Sequence, residues 1–309
     1  MCSAIRTIRS TGAYSEQIRK IAENLENADA VLIGAGAGLS TSAGFTYSGE
    51  RFHRYFADFI EKYHFTDIFS GGFYPFPTKE EYWAYFSRHV WINRYMDPPK
   101  PVYRELLELV RDREYFVLST NTDHCFLKAG FEESRVFCTQ GDLGLFQCSV
   151  PCCAKTYGNM ETIREMVEKQ KDMRIPPELL PVCPECGKPL RMHLRNDYTF
   201  VEGPEWKRMA ARYEAFLRRH SGDRILLLEL GVGYNTPGII KYPFWRMTAG
   251  NPNWVYASIN MEDAVCPEQI GARAILVNHD IGGAIRDVQD VLRRSGKQFK
   301  DDYTEEETK

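Results

Sequence analysis

The sequence lacks any apolar run approaching the roughly 20 residues that cross a bilayer, and its first residues contain no apolar stretch of signal-peptide length. It also lacks an excess of basic residues, because the formal net charge is -3 and the pI is near 6.2. Such a chain has no positive field with which to hold a nucleic-acid backbone. We therefore expect a cytoplasmic protein that binds neither membranes nor nucleic acid.

Cysteine is too sparse for a disulfide scaffold, with nine residues in a chain of 309. Several of the cysteines cluster, as Cys148-x-x-x-Cys152-Cys153 and as Cys183-x-x-Cys186, about thirty residues apart. Two such pairs predict a closed tetrahedral zinc site, in which four thiolates leave no position for water. We expect Cys148, Cys152, Cys183 and Cys186 to bind structural zinc, with Cys153 as the alternative to Cys152.

Short continuous apolar runs recur along the chain, and helical patterns separate most of them. Continuous rather than alternating runs indicate strands that are buried on both faces, as in a parallel sheet covered by helices. The sequence therefore predicts an α/β fold, a Rossmann-like doubly wound parallel sheet. The predicted strands are Ala30–Ile33, Tyr115–Leu118, Arg135–Phe137, Ile225–Leu228, Trp254–Ala257 and Ala274–Val277.

Two segments interrupt this alternation. Residues from about 46 to 100 are rich in aromatic side chains and predict a helical excursion that forms one wall of a cleft. Residues 144–202 carry the cysteine pairs and predict an inserted zinc-binding module. The Rossmann-like domain then comprises residues 1–143, including the excursion, and 203–300, while the acidic residues 301–309 are expected to form a mobile tail.

The first predicted strand runs directly into a turn of small residues, Gly34-Ala35-Gly36-Ala37-Gly38. Small residues between a strand and a helix let backbone N–H groups approach a pyrophosphate, and the helix N-terminus favours its negative charge. Ser40 follows and can donate a hydroxyl. The full GxGxxG spacing is absent, so this turn on its own is equally compatible with a tight structural corner.

The order of the motifs is more specific than any one of them. The series is Gly36-Ala37-Gly38-Leu39-Ser40, Ser119-Thr120-Asn121-Thr122-Asp123, Gln140-Gly141-Asp142, the two cysteine pairs, Gly231-Val232-Gly233 and Ser258-Ile259-Asn260. In this order, from about residue 30 to 285, the chain resembles the sirtuin family. The resemblance implies that NAD is the co-substrate.

The resemblance also implies a role for each motif. Gly36, Ala37, Gly38 and Ser40 would hold the dinucleotide phosphates, Asn121 and Asp123 would line the nicotinamide and ribose pocket, Gly231, Val232 and Gly233 would contact the phosphate region, and Asn260 would reach the adenosine ribose. Asp280 and Ile281, just beyond a later strand, would flank the adenine.

Gln140 departs from the deacylating sirtuins, which carry a proton-accepting histidine before a glycine at this position. A neutral amide has no useful basicity near pH 7. Cleavage of the nicotinamide–ribose bond needs no strong base, because positioning, carboxylate charge and hydrogen bonds stabilise its oxocarbenium-like transition state. We therefore predict that Asn121, Asp123 and Gln140 are catalytic in a transfer of ADP-ribose.

The chain is most similar to the class M, macrodomain-linked sirtuins of microbial pathogens. Three features carry this resemblance: Gln140, the long spacer between the cysteine pairs and the aromatic excursion. That resemblance implies transfer of ADP-ribose from NAD to a lipoylated carrier protein like the glycine-cleavage H protein, with a partner macrodomain hydrolase that removes the modification. Three alternatives stay open from the residues alone: a lysine deacylase whose base lies elsewhere, an NAD-binding module without turnover, and plain hydrolysis of NAD with water as the acceptor.

Overall fold

The computed structural model describes residues 6–10 and 12–306, and for residues 296–306 it describes the backbone alone. Its strands are β1 (Thr7–Arg9), β2 (Ala30–Ala35), β3 (Tyr115–Ser119), β4 (Val136–Cys138), β5 (Gly141–Cys148), β6 (Thr156–Gly158), β7 (Leu190–Leu194), β8 (Ile225–Leu230), β9 (Trp254–Asn260), β10 (Val265–Pro267) and β11 (Ala274–Asn278). Its helices are α1 (Tyr14–Asn27), α2 (Ala37–Ser42), α3 (Glu50–Tyr63), α4 (Ile68–Gly72), α5 (Lys79–Val90), α6 (Val102–Val110), α7 (Cys125–Lys128), α8 (Met160–Lys169), α9 (Pro204–Arg219), α10 (Lys241–Gly250) and α11 (Ile281–Glu306).

The six predicted strands pair in one parallel sheet with the order β11-β9-β8-β2-β3-β4. The predicted parallel α/β sheet is thus confirmed. Each strand ends one to three residues later than predicted, because small or polar residues such as Gly34, Ser119 and Asn260 interrupt the apolar run but still pair in the ladder. β2 and β8 are buried along their whole length, which explains why their residues are apolar except for Gly34 and Glu229.

Helices cover both faces of this sheet. Ile21 of α1, Leu106 of α6 and Ile285 of α11 belong to the core on one face. Phe216 of α9 and Phe244 of α10 belong to the core on the other face. The sheet is therefore doubly wound, as predicted.

A second lobe contains the antiparallel sheet β6-β5-β7. Phe56 of α3 and Tyr85 of α5 lie in one hydrophobic core with Phe146 and Cys148 of β5. The sequence analysis assigned the aromatic excursion to the Rossmann-like domain, but in the structure its buried rings pack with the cysteine module. The reason is that helical periodicity marks a face as buried and does not say which segment covers it.

The chain continues from the sheet into α11, whose backbone is helical from Ile281 to Glu306. The tail that was predicted to be mobile begins within this helix, and residues 307–309 lie outside the described residues. None of the described helices combines enough length with enough apolar character to cross a membrane.

The position of β2 determines where a ligand can enter. The chain adds β3 and β4 on one side of β2 and then β8, β9 and β11 on its other side, so the strand order reverses between β2 and β8. In open α/β sheets, ligands bind in the crevice that opens at the carboxyl ends of the strands at such a reversal. The glycine turn after β2 and the glycine segment after β8 both lie at this edge.

Candidate active site

A cleft of about 780 Å³ opens at this edge of the sheet. Its size falls within the roughly 300–1,000 Å³ that small-molecule sites occupy. Among the predicted cofactor and catalytic residues, it is lined by Gly36, Ala37, Gly38, Ser40, Asn121, Asp123, Gln140, Gly231, Val232, Gly233 and Asn260. The fold therefore brings together motifs that are far apart in the sequence.

The floor of the cleft is a close contact between two glycine turns. A Cβ added to Gly38 would lie 2.6 Å from the Cα of Gly231, and a Cβ added to Gly36 would lie 2.6 Å from the carbonyl oxygen of Gly231. The backbone N–H of Gly38 donates to the carbonyl of Gly231 at 2.9 Å, and Gly231 has a positive φ of 64°. Only glycine allows this approach. The cleft wall consequently presents backbone to a ligand, which fits a dinucleotide phosphate.

A buried polar network lies next to the glycine turn. The amide nitrogen of Asn121 donates to the carbonyl of Gly36 at 2.9 Å and to the Oγ of Ser40 at 3.0 Å. The Ser40 hydroxyl donates to the Asp123 carboxylate at 2.5 Å and lies 2.9 Å from the hydroxyl of Tyr103. These bonds hold Asn121 and Asp123 in one orientation before a ligand binds, which is the preorganisation that catalysis through hydrogen bonds requires.

Gln140 lies between β4 and β5, where the chain crosses from one lobe to the other. Gly141 follows with φ 96°, and a Cβ there would lie 2.0 Å from the carbonyl oxygen of His193. The backbone N–H of Arg195 donates to the carbonyl of Gln140 at 3.0 Å. Among residues 6–10 and 12–295, whose side chains the structure describes, none forms a hydrogen bond with the Gln140 side-chain amide, so the amide is available to a ligand.

Asp142 joins the two lobes beside Gln140. Its carboxylate accepts from the Nε of Arg94 at 2.6 Å and lies 3.1 Å from the Nδ1 of His124. Burial by itself would raise the pKa of Asp142, but the hydrogen bonds from His124 and Arg94 outweigh burial and hold the pKa at about 2. The group is therefore a carboxylate at neutral pH, and it connects the segment before α7 to the aromatic excursion.

Two polar residues of the site give no clear signal in the sequence, one in the buried network and one in the lining of the cleft. Tyr103, at the start of α6, contributes its hydroxyl to the polar network and gave no local signal. Asn93 lines the cleft, is 2% exposed and accepts from the guanidinium of Arg51 at 3.0 Å. A buried amide within the aromatic segment Trp91–Tyr95 is the signal that could have revealed it.

An aromatic ring and an arginine meet between α2 and the start of α3. Phe45 lines the cleft and is 3% exposed. The guanidinium of Arg51, at the start of α3, lies 4.8 Å from the centre of the Phe45 ring and donates to the carbonyl of Thr46 at 3.2 Å. Arg51 therefore fixes the wall that Phe45 forms.

Two predicted adenine contacts lie outside the cleft. Asp280 accepts from the hydroxyl of Ser42 at 2.8 Å and from the backbone N–H of Gly283 at 2.9 Å, so its carboxylate caps the start of α11. Ile281 is 3% exposed and packs in the core of the sheet. Neither residue lines the cleft. The structure therefore places both side chains outside the lining of the cleft, and their contact with an adenine stays a prediction.

Four sulfur atoms meet in the second lobe. Those of Cys148, Cys152, Cys183 and Cys186 all lie within 4.8 Å of one another, with 3.6 Å between Cys148 and Cys186 and 3.7 Å between Cys152 and Cys183. Tetrahedral zinc with bonds of about 2.3 Å would separate its sulfur ligands by about 3.8 Å. The donor set and spacing therefore fit a closed structural zinc site, while Cys153 lies outside the four and contacts the hydroxyl of Tyr157.

No family model matches the chain. It is 41% identical over 272 residues to a protein ADP-ribosyltransferase of Staphylococcus aureus, and the match covers 88% of this chain and 86% of that protein. A solved Sir2 homologue in complex with NAD shares the fold at a TM-score of 0.58, with 18% identity and coverage of 89% of this chain and 94% of the other. This chain belongs to the sirtuin family.

Two further proteins are similar to this chain. A probable bifunctional ADP-ribose hydrolase/ADP-ribosyltransferase of Fusarium oxysporum f. sp. cubense is 32% identical to this sirtuin over 240 residues, which span 72% of this chain and only 38% of that protein. A Sir2 homologue solved with ADP-ribose has a TM-score of 0.57, 14% identity and coverage of 90% and 97% of the two chains. NAD is the co-substrate of this sirtuin, and the cleft described above is where it would bind.

Proposed function

We propose that this sirtuin transfers ADP-ribose from NAD to a protein acceptor and releases nicotinamide. One observation carries the proposal: Gln140 lines the cleft together with Asn121 and Asp123, and its side-chain amide forms no hydrogen bond with the part of the chain whose side chains the structure describes. An amide can hold a ribose hydroxyl, but it cannot accept the proton that a deacylating sirtuin passes to a histidine. The site favours cleavage and transfer over deacylation.

The reaction breaks the bond between the ribose C1′ and the nicotinamide nitrogen, and neutral nicotinamide leaves with the electron pair. The Asp123 carboxylate, fixed by the Ser40 hydroxyl and by the backbone N–H of Cys125 at 2.9 Å, places negative charge beside the developing positive ribose. The acceptor nucleophile then bonds to C1′ and gives up its proton to solvent. Gln140 and the free carbonyl oxygen of Asn121 would position the ribose hydroxyls.

Similarity to named relatives supports the same activity. The Staphylococcus aureus relative is called a protein ADP-ribosyltransferase, and the Fusarium oxysporum relative carries that activity in its name beside an ADP-ribose hydrolase. A hydrolase that removes ADP-ribose is the kind of partner that a transferase of this type requires. We propose that such a macrodomain hydrolase acts together with this sirtuin.

The acceptor that we propose is a lipoylated carrier protein of the glycine-cleavage H type. Phe69 lines the cleft and is 54% exposed, and Phe73 beside it is 67% exposed, with 4.7 Å between the ring centres. Two largely exposed phenylalanines in contact are unusual on a protein surface and favour an apolar ligand. The hydrocarbon chain of a lipoyl-lysine would bury against these rings as it enters the cleft.

The test uses NAD labelled in its adenylate portion and a carrier protein from the same cell, prepared with and without the lipoyl group. We expect label on the lipoylated carrier, an equal amount of free nicotinamide, and a mass increase that intact-protein mass spectrometry identifies as one ADP-ribose. Nicotinamide release without label on any protein would indicate a hydrolase. Turnover of acyl-lysine peptides without protein labelling would indicate a deacylase, and either result would refute the proposal.

A further inference from the structure

A fully buried ion pair lies beneath the cofactor cleft. Glu229 is in β8, Lys241 is the first residue of α10, and both side chains are 0% exposed. The Lys241 ammonium donates to the Oε1 of Glu229 at 2.6 Å, and the hydroxyl of Ser258 in β9 donates to the same oxygen at 3.1 Å. Removing two charges from water costs free energy, so a buried ion pair is weak evidence for stability. Its presence is better explained if the pair fixes one conformation of the chain around it.

The two residues are at the ends of a segment that forms part of the cleft. Residues 231–240 connect β8 to α10 without a helix or strand of their own. Five of them line the cleft: Gly231, Val232, Gly233, Asn235 and Thr236. The cofactor wall on this side is therefore an irregular loop, whose shape depends on how its ends are held.

Both ends of the loop are held by close contacts. At its start Gly231 meets the backbone of Gly38, where an added Cβ would lie 2.5 Å from the Gly38 Cα. At its end Ile240 packs on Gly34, where an added Cβ would lie 2.4 Å from the Cγ2 of Ile240. The ammonium of Lys241 then reaches back to β8, two residues before the loop begins. The ion pair closes the loop at its base.

We propose that Glu229 and Lys241 are positioning residues for NAD, because their ion pair closes residues 229–241 into one conformation and holds the backbone of Gly231 to Gly233 against the phosphates. A loop that is already closed loses less conformational freedom when a ligand binds. The inference rests on the proposed function only in that the cleft must bind NAD. The inference does not depend on which protein accepts the ADP-ribose.

Two variants test this role. Lys241→Met leaves the Glu229 carboxylate buried without its partner and should lower thermal stability as well as NAD affinity. The double variant Glu229→Gln/Lys241→Met removes both charges but keeps the volume, and its amide can still accept from Ser258. We expect it to unfold near the wild-type temperature while its Kd for NAD, measured by calorimetry, rises on the order of tenfold.

Steady-state kinetics separate positioning from general damage. In the double variant the KM for NAD in nicotinamide release should rise by the same factor as Kd, while kcat at saturating NAD stays within about twofold of the wild type, because the reacting groups are untouched. Glu81→Gln is the matched control, since Glu81 is also a buried carboxylate paired with a lysine, Lys62, but lies in the second lobe away from this loop. It should leave the Kd for NAD unchanged.

The outcomes are distinguishable. A wild-type Kd and KM for NAD in the double variant would overturn the inference and leave the proposed transferase activity intact. An equal loss of NAD affinity in Glu81→Gln would show that the effect is one of stability and would also overturn it. If the wild-type protein binds no NAD at all, the inference and the proposed function both fail.

Discussion

The polar network of the cleft and the cysteine cluster of the second lobe are both sets of polar side chains gathered from distant segments. In the network, the groups of Ser40, Tyr103, Asn121 and Asp123 meet one another as donors and acceptors. In the cluster, four sulfur atoms approach within 4.8 Å, and thiolates so close together repel unless a cation lies between them. The first region is complete as it stands, whereas the second depends on a metal.

The two regions therefore have different tasks, catalysis in the cleft and stabilisation in the cluster. A network that satisfies its own hydrogen bonds keeps its geometry when the ligand leaves, as a catalytic site must. A cluster that needs zinc gives stability to a small lobe whose sheet has only three strands. We therefore expect changes in the cleft to act on chemistry and changes in the cluster to act on folding.

The largest effect is expected from Cys183→Ser in the zinc cluster. Structural zinc sites have apparent binding free energies of about 10–16 kcal/mol in small domains, and that free energy is largely folding free energy. The variant should lose its zinc, measured by elemental mass spectrometry, and the near-ultraviolet circular dichroism of the aromatic lobe should collapse.

Cys153→Ser is the control for this experiment. Its sulfur lies outside the four and is 3.9 Å from that of Cys152, so the variant should keep one zinc per chain and fold normally. Equal zinc loss in both variants would mean that the zinc ligands are not the four cysteines identified here. The expected difference in task between the cleft and the cluster would then no longer hold.

The next largest effect is expected from Asn121→Ala in the polar network. Loss of one preorganised polar group costs about 100-fold or more in kcat in comparable sites, and we expect nicotinamide release to fall by about that factor. The carbonyl of Gly36 also loses a hydrogen bond, which should lower the free energy of unfolding by about 1–3 kcal/mol.

Asn159→Ala separates these two consequences. Asn159 is 1% exposed and its amide donates to the carbonyl of Leu143 at 3.0 Å, so it performs the same structural task in the second lobe. It should lose similar stability in urea unfolding with little change in kcat. Equal losses of activity in the two variants would contradict the expectation that changes in the cleft act on chemistry and changes in the second lobe act on folding.

The smallest effect is expected from Asp142→Asn, at the junction of the two regions. The pKa of Asp142 is lowered from 3.8 to about 2, so its contribution to stability is present above pH 3.8 and is lost as the pH falls toward 2. The shift corresponds to roughly 2 kcal/mol. Urea midpoints measured from pH 5 to pH 3 should fall with pH in the wild type and fall less steeply in the variant; identical slopes would contradict the assignment.

Much of the fold followed from local pattern. The strands of the sheet were predictable, because a segment buried on both faces must be continuously apolar. Most of the cofactor and catalytic residues predicted from the order of the motifs line the cleft. Tyr103 was not, since its hydroxyl reaches Ser40 only after α6 packs beside α2, and no spacing in the chain records that contact.

Charge inside the fold was the least predictable feature. Glu229 and Lys241 are 12 positions apart, in a strand and a helix, and a sequence pattern offers no means to see that both are fully buried. The same limit applies to Asp280, because its place after a strand does not show that its carboxylate caps α11. Direction and burial of a polar side chain are properties of the packed state.

The order of residues was enough to predict the parallel sheet, the glycine turn at its edge, the four zinc ligands with one alternative, and an amide where deacylases carry an imidazole. Packing in three dimensions selects Cys152 over Cys153 for the cluster, places the aromatic excursion against the cysteine module, and buries the ion pair that closes the cofactor loop. The local conformation and chemistry of a residue follow from its neighbours in the sequence. Its contacts with distant segments form only when the chain packs, and they depend on distances that no linear pattern contains.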